Sequence, residues 1–168
     1  MLKIEPLGPR HDREGFDCGS LELNDYLKKT ARQHIEKGLS KTFVLVDEAE
    51  PERILGFLTL AVCEVHAQSL PPKLAKKYPQ HVPAAKLARL AVAKDHQREG
   101  LGKLMMVHAL QKALRVSDSV GIIGFFVDAK NDDARCYYEQ YGFTGLPDSP
   151  LRLFLPLATL KQALASLD

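Results

Sequence analysis

Cysteine is scarce and unpatterned in this chain. Cys18, Cys63 and Cys136 are odd in number, far apart and free of any Cys-x-x-Cys or Cys/His ligand spacing, which excludes a disulfide framework and a zinc site. Long hydrophobic runs are missing too. The longest mostly apolar stretch, Ile54 to Cys63, is interrupted by Gly56 and Thr59 and is too short to span a bilayer. The opening residues, Met1 to Pro6, lack the apolar core of a signal peptide. No internal repeat, low-complexity tract or linker divides the 168 residues, so a single domain over 1–168 is expected, in the cytosol, with no membrane partner and no metal.

Composition is otherwise ordinary for a globular protein, with 45% hydrophobic and 26% charged residues. The net charge is only +2, yet the cations cluster: Lys28, Lys29, Arg32, Lys37 and Lys41 in one stretch, Lys73, Lys76, Lys77, Lys86 and Arg89 in another. Local positive surface on a nearly neutral protein is what a phosphate-rich partner responds to.

The pattern predicts a short strand at Lys3–Leu7, then a helix capped by Ser20 with apolar positions Leu23, Tyr26, Leu27, Ala31, His34 and Ile35, ending near Gly38. Thr42–Val46 and Arg53–Val65 read as a hairpin of buried strands around an acidic turn. Ser69–Tyr78 reads as a short basic helix bracketed by prolines, placed to act as a lid. Leu87–Ala93 and Ile122–Val127 are further strands and Gly100–Ser117 a long helix. A helix over Ala134–Tyr141, a strand at Leu151–Leu155 and a terminal helix from Pro156 complete the chain. Strand and helix alternation around residue 100 argues for an α/β sandwich with partly parallel strands.

Between the strand Leu87–Ala93 and the long helix lies Gln97-Arg98-Glu99-Gly100-Leu101-Gly102. Two glycines at a helix entry turn bare N–H groups toward one point, a receptor for the diphosphate of a cofactor. A Walker loop is ruled out because Gly102-Lys103-Leu104 lacks the earlier glycine and the hydroxyl that binds magnesium. A dinucleotide fingerprint fits no better, since Lys103, Leu104 and Met105 follow the second glycine.

The pattern that fits is Gln97-x-x-Gly100-x-Gly102, and from Lys3 to Pro156 the chain resembles the GNAT N-acetyltransferases. The resemblance implies the GNAT fold: a mixed central sheet with helices on both faces and splayed parallel strands at the acetyl-CoA site. It also implies that Gln97, Arg98, Glu99, Gly100, Leu101, Gly102 and Lys103 hold the diphosphate of acetyl-CoA. Leu90, Ala91 and Val92 would receive the pantetheine arm through their main chain. Tyr138, in Tyr137-Tyr138-Glu139-Gln140-Tyr141-Gly142-Phe143, matches the family's proton donor to the departing thiolate. Tyr137 and Tyr138 differ by about 100° around a helix, so both cannot face one sulfur. No general base is evident; Glu64, His66 and His81 are surface candidates. Low-pKa α-amines, titrating near about 7.7–8.0 against about 10.4 for lysine, are therefore favoured as acceptors.

Further segments narrow the resemblance. Phe16-Asp17-Cys18-Gly19-Ser20, Leu23-Asn24-Asp25-Tyr26-Leu27, Arg89-Leu90-Ala91-Val92, Val127-Asp128-Ala129-Lys130 and Leu151-Arg152-Leu153-Phe154-Leu155-Pro156 look like the acetyltransferase toxins of bacterial toxin–antitoxin modules. That group acetylates the α-amine of the amino acid on charged tRNA and is silenced by a ribbon-helix-helix antitoxin. Aminoacyl-tRNA and such an antitoxin are thus the expected partners, and a homodimer is left open. Because tRNA is a polyanion, Lys28, Lys29 and Arg32 on the first helix, with Arg89 beside the thioester, are the substrate-binding candidates. Two other readings stand: an acetyltransferase for a small amine, a peptide N-terminus or an antibiotic, and a non-catalytic acetyl-CoA-binding or protein-interaction module. Two places depart from the family pattern: Tyr137 stands where Phe is usual, and Lys86-Leu87-Ala88 replaces the Leu-Gly pair common before the Arg-Leu-Ala-Val run, a change expected to bear on the acceptor pocket.

Overall fold

Alternation of buried and exposed residues from the N-terminus lays down strand β1 (Leu2–Pro6), antiparallel to β2 (Lys41–Asp47), with Ile4 opposite Leu45. β2 in turn pairs antiparallel with β3 (Gly56–His66), Val44 facing Phe57. Buried on β2 and β3, the hydroxyls of Thr42 and Thr59 satisfy each other at 2.8 Å. A computed structural model describes these elements and the rest of residues 1–167. It divides the chain into two compact units, Met1–Ala61 with Ala88–Ala109, and Val62–Leu87 with the chain from Leu110 onward.

In the first unit, Ser20 caps helix α1 (Leu21–Asp25) as its pattern predicts, its hydroxyl accepting from the Leu23 N–H at 3.3 Å. The predicted helix is not uniform: a π-helical turn, Tyr26–Thr30, precedes α2 (Ala31–Glu36), and the Ala31 N–H reaches back to the Tyr26 carbonyl. The extra residue in that turn shifts the helix face, a distortion apolar periodicity does not encode. Tyr26, Leu27 and Ala31 are buried against Phe16, Val44, Val46, Ile54, Phe57, Ala91 and Ala93. Fully burying one such large apolar side chain is worth about 1.5–3 kcal/mol.

The second unit is organised around the strands that follow. The predicted basic helix shrinks to α3 (Pro72–Ala75) after a 3₁₀ turn at Ala67–Ser69. Leu70, Leu74 and Tyr78 of this segment pack onto a core of Val65, Val82, Ala84, Phe126, Leu146 and Phe154. Strand β4 (His81–Val92) begins six residues before its predicted start. Pro83 and the paired alanines carry little strand propensity, but the Pro83 carbonyl accepts from Ile123 at 2.9 Å and tertiary pairing overrides propensity. After α4 (Leu101–Ser119), strand β5 (Gly124–Asp128) runs parallel to β4, with Ala85, Lys86 and Leu87 opposite Phe125, Phe126 and Val127. β4 itself continues to Val92.

Helix α5 (Asp132–Glu139) is capped by Asn131, whose side-chain oxygen accepts from Ala134 at 2.9 Å. A short strand, β6 (Thr144–Leu146), pairs antiparallel with β7 (Ser149–Pro156) and went unpredicted because it is only three residues long. β7 also pairs antiparallel with β5, and α6 (Leu157–Leu167) ends the described chain. The fold is thus α/β: seven strands in mixed, mostly antiparallel pairing, flanked by helices. Among the described residues no helix is long and apolar enough to cross a membrane.

Candidate active site

From the end of β4 the first unit makes a 3₁₀ turn at Lys94–His96 and then the loop 97–100 that opens α4. Arg98, at φ +68°, and Gly100, at φ +82°, place two alternate loop residues in the left-handed region. Only Gly100 does so without steric cost. This kinked entry delivers the chain to the start of α4, where Leu101, Gly102 and Lys103 hold the helix's leading N–H groups and the positive end of its dipole. A Cβ at Gly100 would meet nothing within 4 Å, so the face it points to is open. An open loop of left-handed residues before bare helix amides, with exposed Lys103 beside it, fits a diphosphate.

The loop is tied down from behind. The Gln97 side-chain amide donates to the carbonyls of Cys18 (3.0 Å) and Val92 (3.1 Å). Glu99 is taken up by His96 at 2.9 Å. Lys94 bonds Asp17 twice, through its backbone N–H to the carbonyl (2.9 Å) and through Nζ to the carboxylate (3.0 Å). Buried Asn24 locks the other side, accepting from the Cys18 N–H at 2.9 Å and donating to Asp17 at 3.0 Å. The Gly19 N–H, then Asn24 and Lys94, pull the Asp17 carboxyl down to about 2, and Asp17 holds the Lys94 ammonium above its usual value. Asp17 and Asn24 brace the loop, a part the sequence reading did not give them, since it used them only within segments that resemble the toxins. The available signal was a polar Asn inside the apolar stripe of the first helix.

Because the Asp17 pKa is depressed in the fold, its stabilising contribution is present above its ordinary 3.8 and is lost as pH falls toward 2. Urea unfolding across pH 2–5 is therefore expected to show Asp17→Asn less stable than the native chain at pH 5, with the difference closing toward pH 2. A gap independent of pH would mean that the carboxylate charge is not what holds the clamp.

β3 and the end of β4 approach closely at Gly56: a Cβ there would lie 2.8 Å from the Ala91 carbonyl and 2.8 Å from Met105 Cε. That contact sets where the backbone of Leu90, Ala91 and Val92 runs. Ala91 is buried, and Leu90 and Val92 are half-buried. Leu101 is buried as well, so only its backbone is available to a ligand.

Tyr138 belongs to the second unit, on α5. The hydroxyls of Tyr137 and Tyr141 are spent on each other at 3.0 Å. Among the described residues the Tyr138 hydroxyl has no hydrogen-bond partner, and its ring rests edge-on against Phe143 and Tyr137. Burial pushes the Tyr138 phenol up from its ordinary value, which keeps it protonated. Burial likewise raises Tyr137.

The acetyltransferase (GNAT) domain family model matches residues 39–145, most of the chain and all of the loop. The chain belongs to the GNAT acetyltransferases. Over 144 residues this GNAT chain is 33% identical to a tRNA-acetylating toxin of Mycobacterium tuberculosis, spanning 86% of this chain and 85% of that protein. Its fold matches AtaT complexed with acetyl-methionyl-tRNAfMet at a TM-score of 0.88 and 29% identity, covering 96% of this chain and 98% of that one. It also matches a tyrosine-to-phenylalanine mutant of the AtaT toxin, bound to the C-terminus of the antitoxin AtaR and acetyl-CoA. There the TM-score is 0.80 at 28% identity, with 98% and 99% of the two chains covered.

The first unit of this GNAT chain also carries the four cationic candidates. Arg89 lies over the Tyr26 ring, 4.6 Å from its centroid, and donates to the Ala88 carbonyl at 2.8 Å. Its Nε is buried without an acceptor. Lys28 and Lys29 occupy the π-helical turn. Lys29 pairs with Asp25 at 3.7 Å and Arg32 with Glu36 at 3.3 Å, both exposed pairs worth about 0–1 kcal/mol and easily given up to a polyanion. A cleft of about 580 Å³ in this unit is lined by five acids, Asp12, Asp17, Glu50, Glu52 and Asp95, against two cations, Arg53 and Lys94, a balance that makes it a poor receptor for phosphate. Among the described residues no group of three or more His, Cys, Asp or Glu side chains could hold a metal ion.

Proposed function

We propose that this chain is an acetyl-CoA-dependent N-acetyltransferase that modifies the α-amine of the amino acid on charged tRNA, blocking translation as a toxin. The observation that carries the proposal is the left-handed loop 97–100 at the head of α4, in a chain 33% identical to a tRNA-acetylating toxin. We assign the whole chain to one catalytic domain in the cytosol, where charged tRNA resides, and a ribbon-helix-helix antitoxin to its silencing.

Bound acetyl-CoA supplies an activated acetyl thioester. The amides of Leu101, Gly102 and Lys103 hold its diphosphate, with Gln97 fixing the loop, Arg98 shaping it and Glu99 bracing it through His96. Leu90, Ala91 and Val92 receive the pantetheine arm along their backbone, as an added strand would pair. The neutral acceptor amine bonds to the acetyl carbon, the C–S bond breaks, Tyr138 gives its proton to the sulfur, and the proton shed by the nitrogen passes through solvent to restore the phenol. Arg89 and the turn carrying Lys28 and Lys29, with Arg32 beyond it, attract the phosphates of the acceptor.

Incubating the protein with labelled acetyl-CoA and a pool of charged tRNA tests the proposal, with label expected on the aminoacyl group. Label entering only small amines or peptide N-termini, or no acceptor at all, would overturn it. Charge reversal by Lys28→Glu with Lys29→Glu is expected to raise KM for tRNA and leave acetyl-CoA affinity alone. Equal loss of both in steady-state kinetics would point to damage of the fold instead.

A further inference from the structure

We propose that Arg152, with Lys86, forms an oxyanion subsite for the charged-tRNA substrate, an inference that rests on the function proposed above. All its residues lie in the second unit. Lys86 on β4 is in parallel register with Phe126 on β5, and Asp128, two residues on, is the antiparallel partner of Arg152 on β7. Period-two alternation puts all four side chains on one face. The contacts agree: Lys86 Nζ reaches Asp128 at 2.8 Å, and the Arg152 guanidinium lies 5.5 Å over the Phe126 ring.

The charges on this face do not balance. Asp128 offers one carboxylate to two cations, and Lys86 takes it at hydrogen-bond distance. Arg152 Nε approaches the other carboxylate oxygen only to 3.7 Å and is buried without an acceptor. A half-buried guanidinium donor without an acceptor is costly to maintain. Arg152 Nε itself is covered, but the cluster around it is open to ligands, the side chains of Lys86, Asp128 and Arg152 being 27%, 53% and 39% exposed. Beside it the Cys63 thiol meets the Arg152 side chain, and burial raises that thiol against the pull of Arg152 and Lys86, so it adds no anion. The same unit presents exposed Lys73, Lys76 and Lys77 and no compensating acid on α3.

Two cations share one carboxylate here, and a planar guanidinium that is partly exposed matches phosphate or carboxylate, which it binds bidentately. Charged tRNA carries that chemistry in two places, the phosphodiesters of its 3′ end and the side-chain carboxylate of an acidic amino acid.

The test uses the full chain carrying Arg152→Gln, Arg152→Lys or Lys86→Gln, each checked by thermal unfolding. Affinities for charged and uncharged tRNA are measured by fluorescence anisotropy across salt concentration, and for acetyl-CoA by calorimetry. Arg152→Gln is expected to weaken tRNA binding about tenfold or more without moving acetyl-CoA affinity, and Arg152→Lys to recover part of the loss. A backbone phosphate would make the loss equal for charged and uncharged tRNA and lower the salt slope by about one. An acidic aminoacyl side chain would confine it to aspartyl- or glutamyl-tRNA. A folded Arg152→Gln protein that binds every tRNA as the native chain does, with the same slope, overturns the subsite alone. A native chain that binds acetyl-CoA but no tRNA overturns the proposed function, and the subsite with it.

Discussion

Replacing Tyr138 with phenylalanine is expected to lower kcat for acetyl transfer by about 10²–10⁴-fold, the usual worth of a positioned proton donor, while acetyl-CoA affinity stays unchanged. The change removes one oxygen from a hydroxyl that no other described residue uses, so the ring contacts with Phe143 and Tyr137 survive. Tyr137→Phe instead breaks the hydroxyl pair with Tyr141 and is expected to cost stability, about 0.5–1.5 kcal/mol, with little effect on kcat. Burial raises the Tyr138 phenol above its ordinary 10.0, so its loss of the proton can produce an alkaline fall in rate only above pH 10. Rapid-quench measurements of the chemical step separate these outcomes. A Tyr138→Phe enzyme with native turnover would sink the assignment of the proton donor.

Gly100→Val is expected to reduce acetyl-CoA affinity about five- to thirtyfold through backbone strain alone, since an L residue in the left-handed region costs about 1–2 kcal/mol. Gly100 sits at φ +82° with open space around its missing Cβ. The folded chain can therefore accept the side chain sterically, and the penalty falls on the loop shape and on the face a diphosphate would occupy. Gly100→Ala should give a smaller loss than Gly100→Val, because β-branching is least tolerated at positive φ. Calorimetric titration with acetyl-CoA reads both. Native affinity in Gly100→Val would remove the loop from the cofactor site.

The ease with which individual features were read from the sequence follows the range of the interactions behind them. Ser20, Asn131 and the loop at residue 100 are local: a side chain or a missing Cβ acts on backbone within a few residues, so one-dimensional pattern suffices. The start of β4 at His81 was missed because its pairing partner, Phe125–Val127, lies far along the chain, and β6 because three residues are too few to show alternation. The π-helical turn at Tyr26–Thr30 was missed for a related reason. It keeps the apolar composition of the stripe while altering its register.

The roles of individual side chains were harder still. The motif already pointed to Tyr138, and the Tyr137–Tyr141 hydroxyl pair adds that Tyr138 carries the hydroxyl left unengaged among the described residues. Asp17 and Asn24 sit about 75–80 residues before the loop they brace. Lys86, Asp128 and Arg152 come from three strands.

Read alone, the linear order of residues determined the family, the α/β class, the glycine loop before the long helix and the tyrosine-bearing helix, because each depends on short-range backbone chemistry. Tertiary structure decided which hydroxyl remains free, which polar side chains hold the loop in place, and where a guanidinium is buried without an acceptor. Those are properties of packing between segments distant in sequence, and burial and hydrogen-bond satisfaction exist only once the segments have met.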